Sequence, residues 1–280
     1  MTGKPDPVVV LAHAFVKRFG SDCGWNLESI LPDLGLKVYY RDAETYEGAL
    51  LRIKGVPLGY VVLSQRIRES SRRRFTLAHE LGHYLLPTQQ TLSQPCTKGV
   101  VESWDETLSA SETEANRFAA EILMPREKLL FQQSPTFAHV ETIAATCGTS
   151  LTASAYRLAS VTSFRMAMVW SQAGRVRWHK ASDEFVRWIR KGDLSRDTFA
   201  HDAFHGTPVP TKLQSVPAAA WLFEKGLKPG VRILEQSVLL PHYDAVLTIL
   251  VIPEQIEDWG YNDGELDPKE FSLGRTRWRK

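Results

Sequence analysis

The stretch "SRRRFTLAHELGHYLL", Ser71 to Leu86, limits the fold more than any other in the chain. Phe75, Ala78, Leu81 and Leu85 recur at steps of three and four, which draws one apolar stripe along a helix. Pro87 follows, and a residue without a backbone N–H stops the helix there. The same helix carries His79 and His83 four residues apart, with Glu80 between them. Residues four apart stand one above the other on a helix, so both imidazoles can point at a single ion. Glu80 lies at the edge of that face, within reach of a water on the ion without ligating it. His79 and His83 are therefore candidate metal ligands, and Glu80 is a candidate general base.

A catalytic zinc needs a third protein ligand and one open position. The downstream helix "SETEANRFAAEILMP" can supply it, with Ser111 as expected N-cap, acids in the first turn and Pro125 closing it. Read as E-x-x-A-N, Glu112 is the ligand, and Asn116 accepts a hydrogen bond from a ligand histidine one helical turn away. Glu114 is the alternative ligand, and helical geometry by itself leaves the choice between the two open. A second histidine pair at the same spacing, His201 and His205 in "HDAFH", has aspartate in place of glutamate, and Gly206 and Pro208 keep any helix there very short. Its expected role is that of loop histidines.

The remaining periodicities suggest an α+β, multidomain chain. Pro7 to Phe19 has helical spacing, and "LKVYYRDA", "ALLRIKGV" and "GYVVLS" read as strands of a small sheet. The last of these is a candidate to pair with an extended substrate. A polar connection, "PTQQTLSQPCTKGVVESWDETLS", separates the two metal helices and is a candidate cleft wall. Tyr84, Tyr60 or a residue of this connection could stabilise an oxyanion. Next, "HVETIAATCGTSLTASAYRLASVT" reads as two short helices about Cys147-Gly148-Thr149, the layout of a helix-turn-helix whose second helix offers Arg157 as its one strong base or phosphate contact. From Ser163 onward, "FRMAMVW", "RVRWHKA", "VRILEQSVLL" and "AVLTILVIPE" read as strands and "SDEFVRWIRKG" as a helix. The expected division is a metallopeptidase-like domain over 1–133, a helix-turn-helix segment over 134–162 and a sensor-like α+β domain over 163–280, ending in a solvated tail.

Composition narrows the setting. With 280 residues, 43% of them hydrophobic, the chain has enough material for a sizeable core. Its longest apolar run, Ala245 to Ile252, is far short of the roughly 20 residues of a membrane span. The first residues lack a small-residue cleavage site, and Cys23, Cys96 and Cys147 are too few and too widely spaced for a disulfide framework, so a cytoplasmic location and no membrane partner are expected. A net charge of +2 does not by itself point to nucleic acid.

"RFTLAHELGH" followed by "ETEANRFAAEILMP" resembles the ImmA/IrrE family of bacterial metallopeptidases, and the three-part layout is most similar to its longer, radiation-response members. The resemblance implies a gluzincin-like fold and metal binding by His79, His83 and Glu112, with Glu80 catalytic. Zinc is the implied cofactor, with manganese or another divalent metal as the alternative in vivo. The implied activity is cleavage of a helix-turn-helix transcriptional repressor in a DNA-damage response, under a GAF-like C-terminal domain with an unnamed small-molecule signal. Glu114, a second acid beside the expected ligand, departs from the simplest form of the pattern. The rival expectation is a DNA-binding or metal-sensing regulator without enzymatic activity.

Overall fold

A computed structural model of the chain describes residues 6–20, 25–52, 58–89, 95–96, 109–129, 134–223, 227–228 and 230–253. The polar connection, apart from its ends and the short β4, lies outside them, as does the basic C-terminal tail. Two compact units emerge, one spanning Asp6–Thr162 and the other beginning at Ser163. Segment 134–162 thus shares a unit with the metal helices.

In the first unit, helix α1 (Pro7–Phe19) starts at Asp6, whose carboxylate accepts the Val8 N–H, and ends at Gly20 after Lys17 and Arg18 favour its C-terminal dipole. Val8, Ala12 and Phe15 form its buried face. Phe15 meets Phe118 of α3 (Ala110–Leu123) edge to face, with ring centroids 5.9 Å apart. Strands β1 (Leu36–Arg41), β2 (Gly48–Arg52), β3 (Gly59–Ser64) and β4 (Pro95–Cys96) form a sheet in the order β1-β3-β2-β4. β1 runs parallel to β3, while β2 is antiparallel to both β3 and β4. Because β3 is paired along both edges, it cannot take an added substrate strand, and the expectation for "GYVVLS" is corrected on that ground.

Helix α2 (Ser70–Leu85) lies on this sheet and against α3. Gly82 lets the two helices meet: a Cβ there would stand 3.1 Å from the Ala115 Cα and 3.2 Å from its carbonyl oxygen. The cap of α3 is Ser109 rather than the expected Ser111, and the Ser109 hydroxyl accepts the Glu112 N–H at 3.4 Å. Helices α4 (Phe137–Cys147) and α5 (Leu151–Val161) follow, joined through Gly148 in the left-handed region at φ 60°.

The second unit is a six-stranded, fully antiparallel sheet in the order β7-β6-β5-β10-β9-β8. These strands are β5 (Met166–Gln172), β6 (Arg175–Ala181), β7 (Gly192–Asp193), β8 (Gln214–Pro217), β9 (Arg232–Leu240) and β10 (Ala245–Val251). Val169, Val246, Leu250, Ile233 and Trp221 are among its core side chains. The helix expected in "SDEFVRWIRKG" does not form. Phe185 and Ile189, four apart as on a helix, are instead buried from an irregular segment. That segment pairs alongside 221–223 through Arg190 N–H to Trp221 O and Phe223 N–H to Trp188 O. "HDAFH" overlaps the end of the six-residue helix α6 (Phe199–Phe204), where His201 stacks on the C-cap His205.

Candidate metal centre

On α2, Thr76, His79, Glu80 and His83 are all buried although each is polar, which places polar chemistry rather than packing at the centre of the unit. The Nε2 atoms of His79 and His83 approach to 2.9 Å, and Glu112 Oε2 lies 3.0 Å from the first and 3.3 Å from the second. Three donor atoms this close together could all ligate one small divalent cation. The donors therefore fit a metal: two imidazoles and one carboxylate converge on one point, and together they form a metal-ligating cluster with all ligand atoms within 4.8 Å of one another.

The surrounding residues tune these donors. Asn116 Oδ1 accepts the His79 Nδ1–H at 2.8 Å, which fixes the tautomer and leaves the Nε2 lone pair facing the cluster. Burial pushes the Glu112 carboxyl up, but the adjoining His79 and His83 rings outweigh burial and hold it at about 2, ionised as a ligand carboxylate must be. Glu114 takes no part: its carboxylate accepts the Thr88 hydroxyl at 2.8 Å, in the turn that follows α2. The alternative ligand is thereby corrected, since Glu112, one turn into α3, is the acid that faces the histidines.

Tyr84 is also corrected as an oxyanion partner. The Tyr84 hydroxyl donates to the Leu34 carbonyl at 3.0 Å, and Tyr60 packs beside Tyr39 at 5.8 Å. The Tyr84 hydroxyl is thereby committed away from the cluster.

Several supporting residues carry no sequence signal. Arg52, from β2, donates to the carbonyls of His83 and Tyr84 and lies 4.9 Å over the Tyr84 ring. It thereby caps the end of the helix where carbonyls lack partners. Arg72 grips Glu47 with both ends of its guanidinium, at 3.0 and 2.6 Å, and so ties β2 to the start of α2. Behind the site, Arg74 donates to the Cys147 carbonyl at 2.7 Å, closing the end of α4. Arg157 of α5 is 4% exposed and bonds both oxygens of Glu121, at 2.8 and 2.6 Å, and the Met124 carbonyl at 3.0 Å. Only the glycine of "HELGH" could have been suspected from sequence, as a point of close helix approach.

Residues 32–159 match the family model described as Peptidase_M78, the IrrE N-terminal-like domain. Eleven chains of known structure match the fold. One, a Mycobacterium tuberculosis transcriptional regulator, aligns with a TM-score of 0.53 at 13% identity, over 87% of this chain and 76% of that one. No curated protein matches. Residues 32–159, which hold both helices of the metal centre and most of the α4–α5 pair behind them, thus form an IrrE N-terminal-like domain.

Proposed function

We propose that the chain is a zinc-dependent metalloendopeptidase of the gluzincin type. Its substrate on this reading is a helix-turn-helix transcriptional repressor, whose cleavage switches on a DNA-damage or radiation response in the cytoplasm. The observation that carries the reading is the convergence of His79 Nε2, His83 Nε2 and Glu112 Oε2, with Glu80 buried on the same helix. A bound divalent metal would polarise the scissile carbonyl and make a nucleophilic water available near neutral pH. Glu80 takes a proton from the attacking water and returns it to the departing amine. Asn116 keeps His79 in the ligating tautomer throughout. On the same reading the second unit is a GAF-like sensor whose small-molecule signal restrains the peptidase.

The deciding experiment joins metal analysis of the purified protein to incubation with candidate repressors, followed on a gel. Glu80→Gln is expected to retain zinc and lose cleavage, whereas His83→Ala loses both. Cleavage by Glu80→Gln at the wild-type rate removes Glu80 as the base. Metal bound without cleavage of any repressor favours the metal-sensing reading.

The DNA-binding reading is less well supported. Arg157, the one strong contact expected of the second helix, is spent on Glu121 and Met124, and the less buried positions of α5 are Leu151, Thr152, Tyr156 and Ser160, none of them cationic. Among the described residues no helix is long and apolar enough to cross a membrane.

A further inference from the structure

Strand β2 is fastened to α2 at two places. Near its start, Glu47 is buried and gripped by Arg72; at its end, Arg52 reaches the His83 and Tyr84 carbonyls. β3 holds the strand from the side through the register Gly48↔Leu63 to Arg52↔Gly59, and the Ser64 N–H donates to the Glu47 carbonyl at 2.8 Å. Between these fastenings Gly48 faces the 72–76–80 stripe of α2. A Cβ at residue 48 would stand 2.4 Å from Glu80 Oε1, 3.1 Å from Glu80 Cδ and 2.7 Å from Thr76 Cγ2. Gly48 is not among the glycines with positive φ, so its backbone does not require glycine. What glycine contributes here is the missing side chain.

We propose that Gly48 is a positioning residue: its bare Cα is the seat of the Glu80 carboxylate, and the clamped strand obliges Glu80, rather than the backbone, to move when a side chain is added. Glu80 is wholly buried, so a displaced carboxylate has no solvent to enter and must turn within the site. The metal donors come from His79, His83 and Glu112, whereas the three atoms nearest a Cβ at residue 48 belong to Glu80 and Thr76. A methyl group at position 48 therefore separates proton transfer from metal binding. The consequence for cleavage rests on the peptidase reading above; the seat itself does not.

The test compares wild type, Gly48→Ala, Glu80→Ala and the double variant as full chains. In the metal-free proteins, Gly48→Ala is expected to lower the unfolding temperature by about 3 °C or more when Glu80 is present and by clearly less when residue 80 is alanine. Equal losses in the two backgrounds overturn the seat, because Thr76 or the strand then carries the strain. With zinc, Gly48→Ala is expected to keep wild-type metal affinity and KM while kcat for repressor cleavage falls about a hundredfold. An unchanged kcat, or a parallel loss of zinc affinity, overturns the positioning role. If wild type cleaves no repressor while the thermal coupling is present, the peptidase reading fails and the seat stands.

Discussion

His79 is engaged at both ring nitrogens, Nδ1 on Asn116 and Nε2 facing His83 and Glu112, so its orientation is set by two helices at once. Removing the outer partner should loosen the ligand without deleting it. Asn116→Ala is expected to weaken zinc binding about 10- to 100-fold, measured by chelator competition, while the fold is retained. A variant that binds as tightly as wild type would show that packing alone orients the ring. The residues on α2 were legible in the sequence because a helix converts a four-residue spacing into a shared face. The E-x-x-A-N pattern points to Glu112 over Glu114, but helical spacing alone does not decide between them. That choice depends on where α2 crosses α3, and that crossing is set by Gly82 against Ala115, a contact no spacing encodes.

At the scale of elements, the centre depends on α2 and α3 lying almost backbone to backbone. Gly82→Leu is expected to force them apart, lowering zinc affinity and costing about 1–3 kcal/mol in denaturant unfolding, as overpacking does. The α5 pair predicts a second effect: Arg157→Ala leaves Glu121 buried without its cation and should cost about 3–5 kcal/mol, whereas Glu121→Gln paired with Arg157→Met should recover much of that loss. Equal stabilities for the single and double variants would remove the pair from any structural role. Strand and helix positions were mostly readable from periodicity. The exception, "SDEFVRWIRKG", shows why: Phe185 and Ile189 repeat at a helical step, yet they are buried from an irregular segment beside 221–223. Periodicity reports which residues turn inward and leaves the path of the backbone between them undetermined.

For the whole molecule, two solution conditions should act on stability. Zinc at about a hundredfold excess over its dissociation constant should add about 2.7 kcal/mol, read as a raised unfolding temperature that a chelator reverses. Acid should act through His179 in the second unit, where burial first, then Lys191 and Lys180, holds the imidazole down to about 4. The unfolded chain takes up that proton near 6.5, so stability is intact above 6.5 and is lost as pH falls from there toward 4. His179→Gln should flatten that part of the thermal stability profile, and an unchanged slope would assign it to other groups. The order of the six-stranded sheet could not be read from the sequence, because its first and last long strands, β5 and β10, are neighbours at its centre. One consequence follows for how the chain can be divided. Arg74 and Arg157 tie α4 and α5 to the two metal helices, so a chain ended at residue 133 would keep the metal donors but lose the helices they are tied to and the cation that Glu121 holds. The smallest fragment of this chain that should fold on its own and keep the three donors together therefore runs to Thr162.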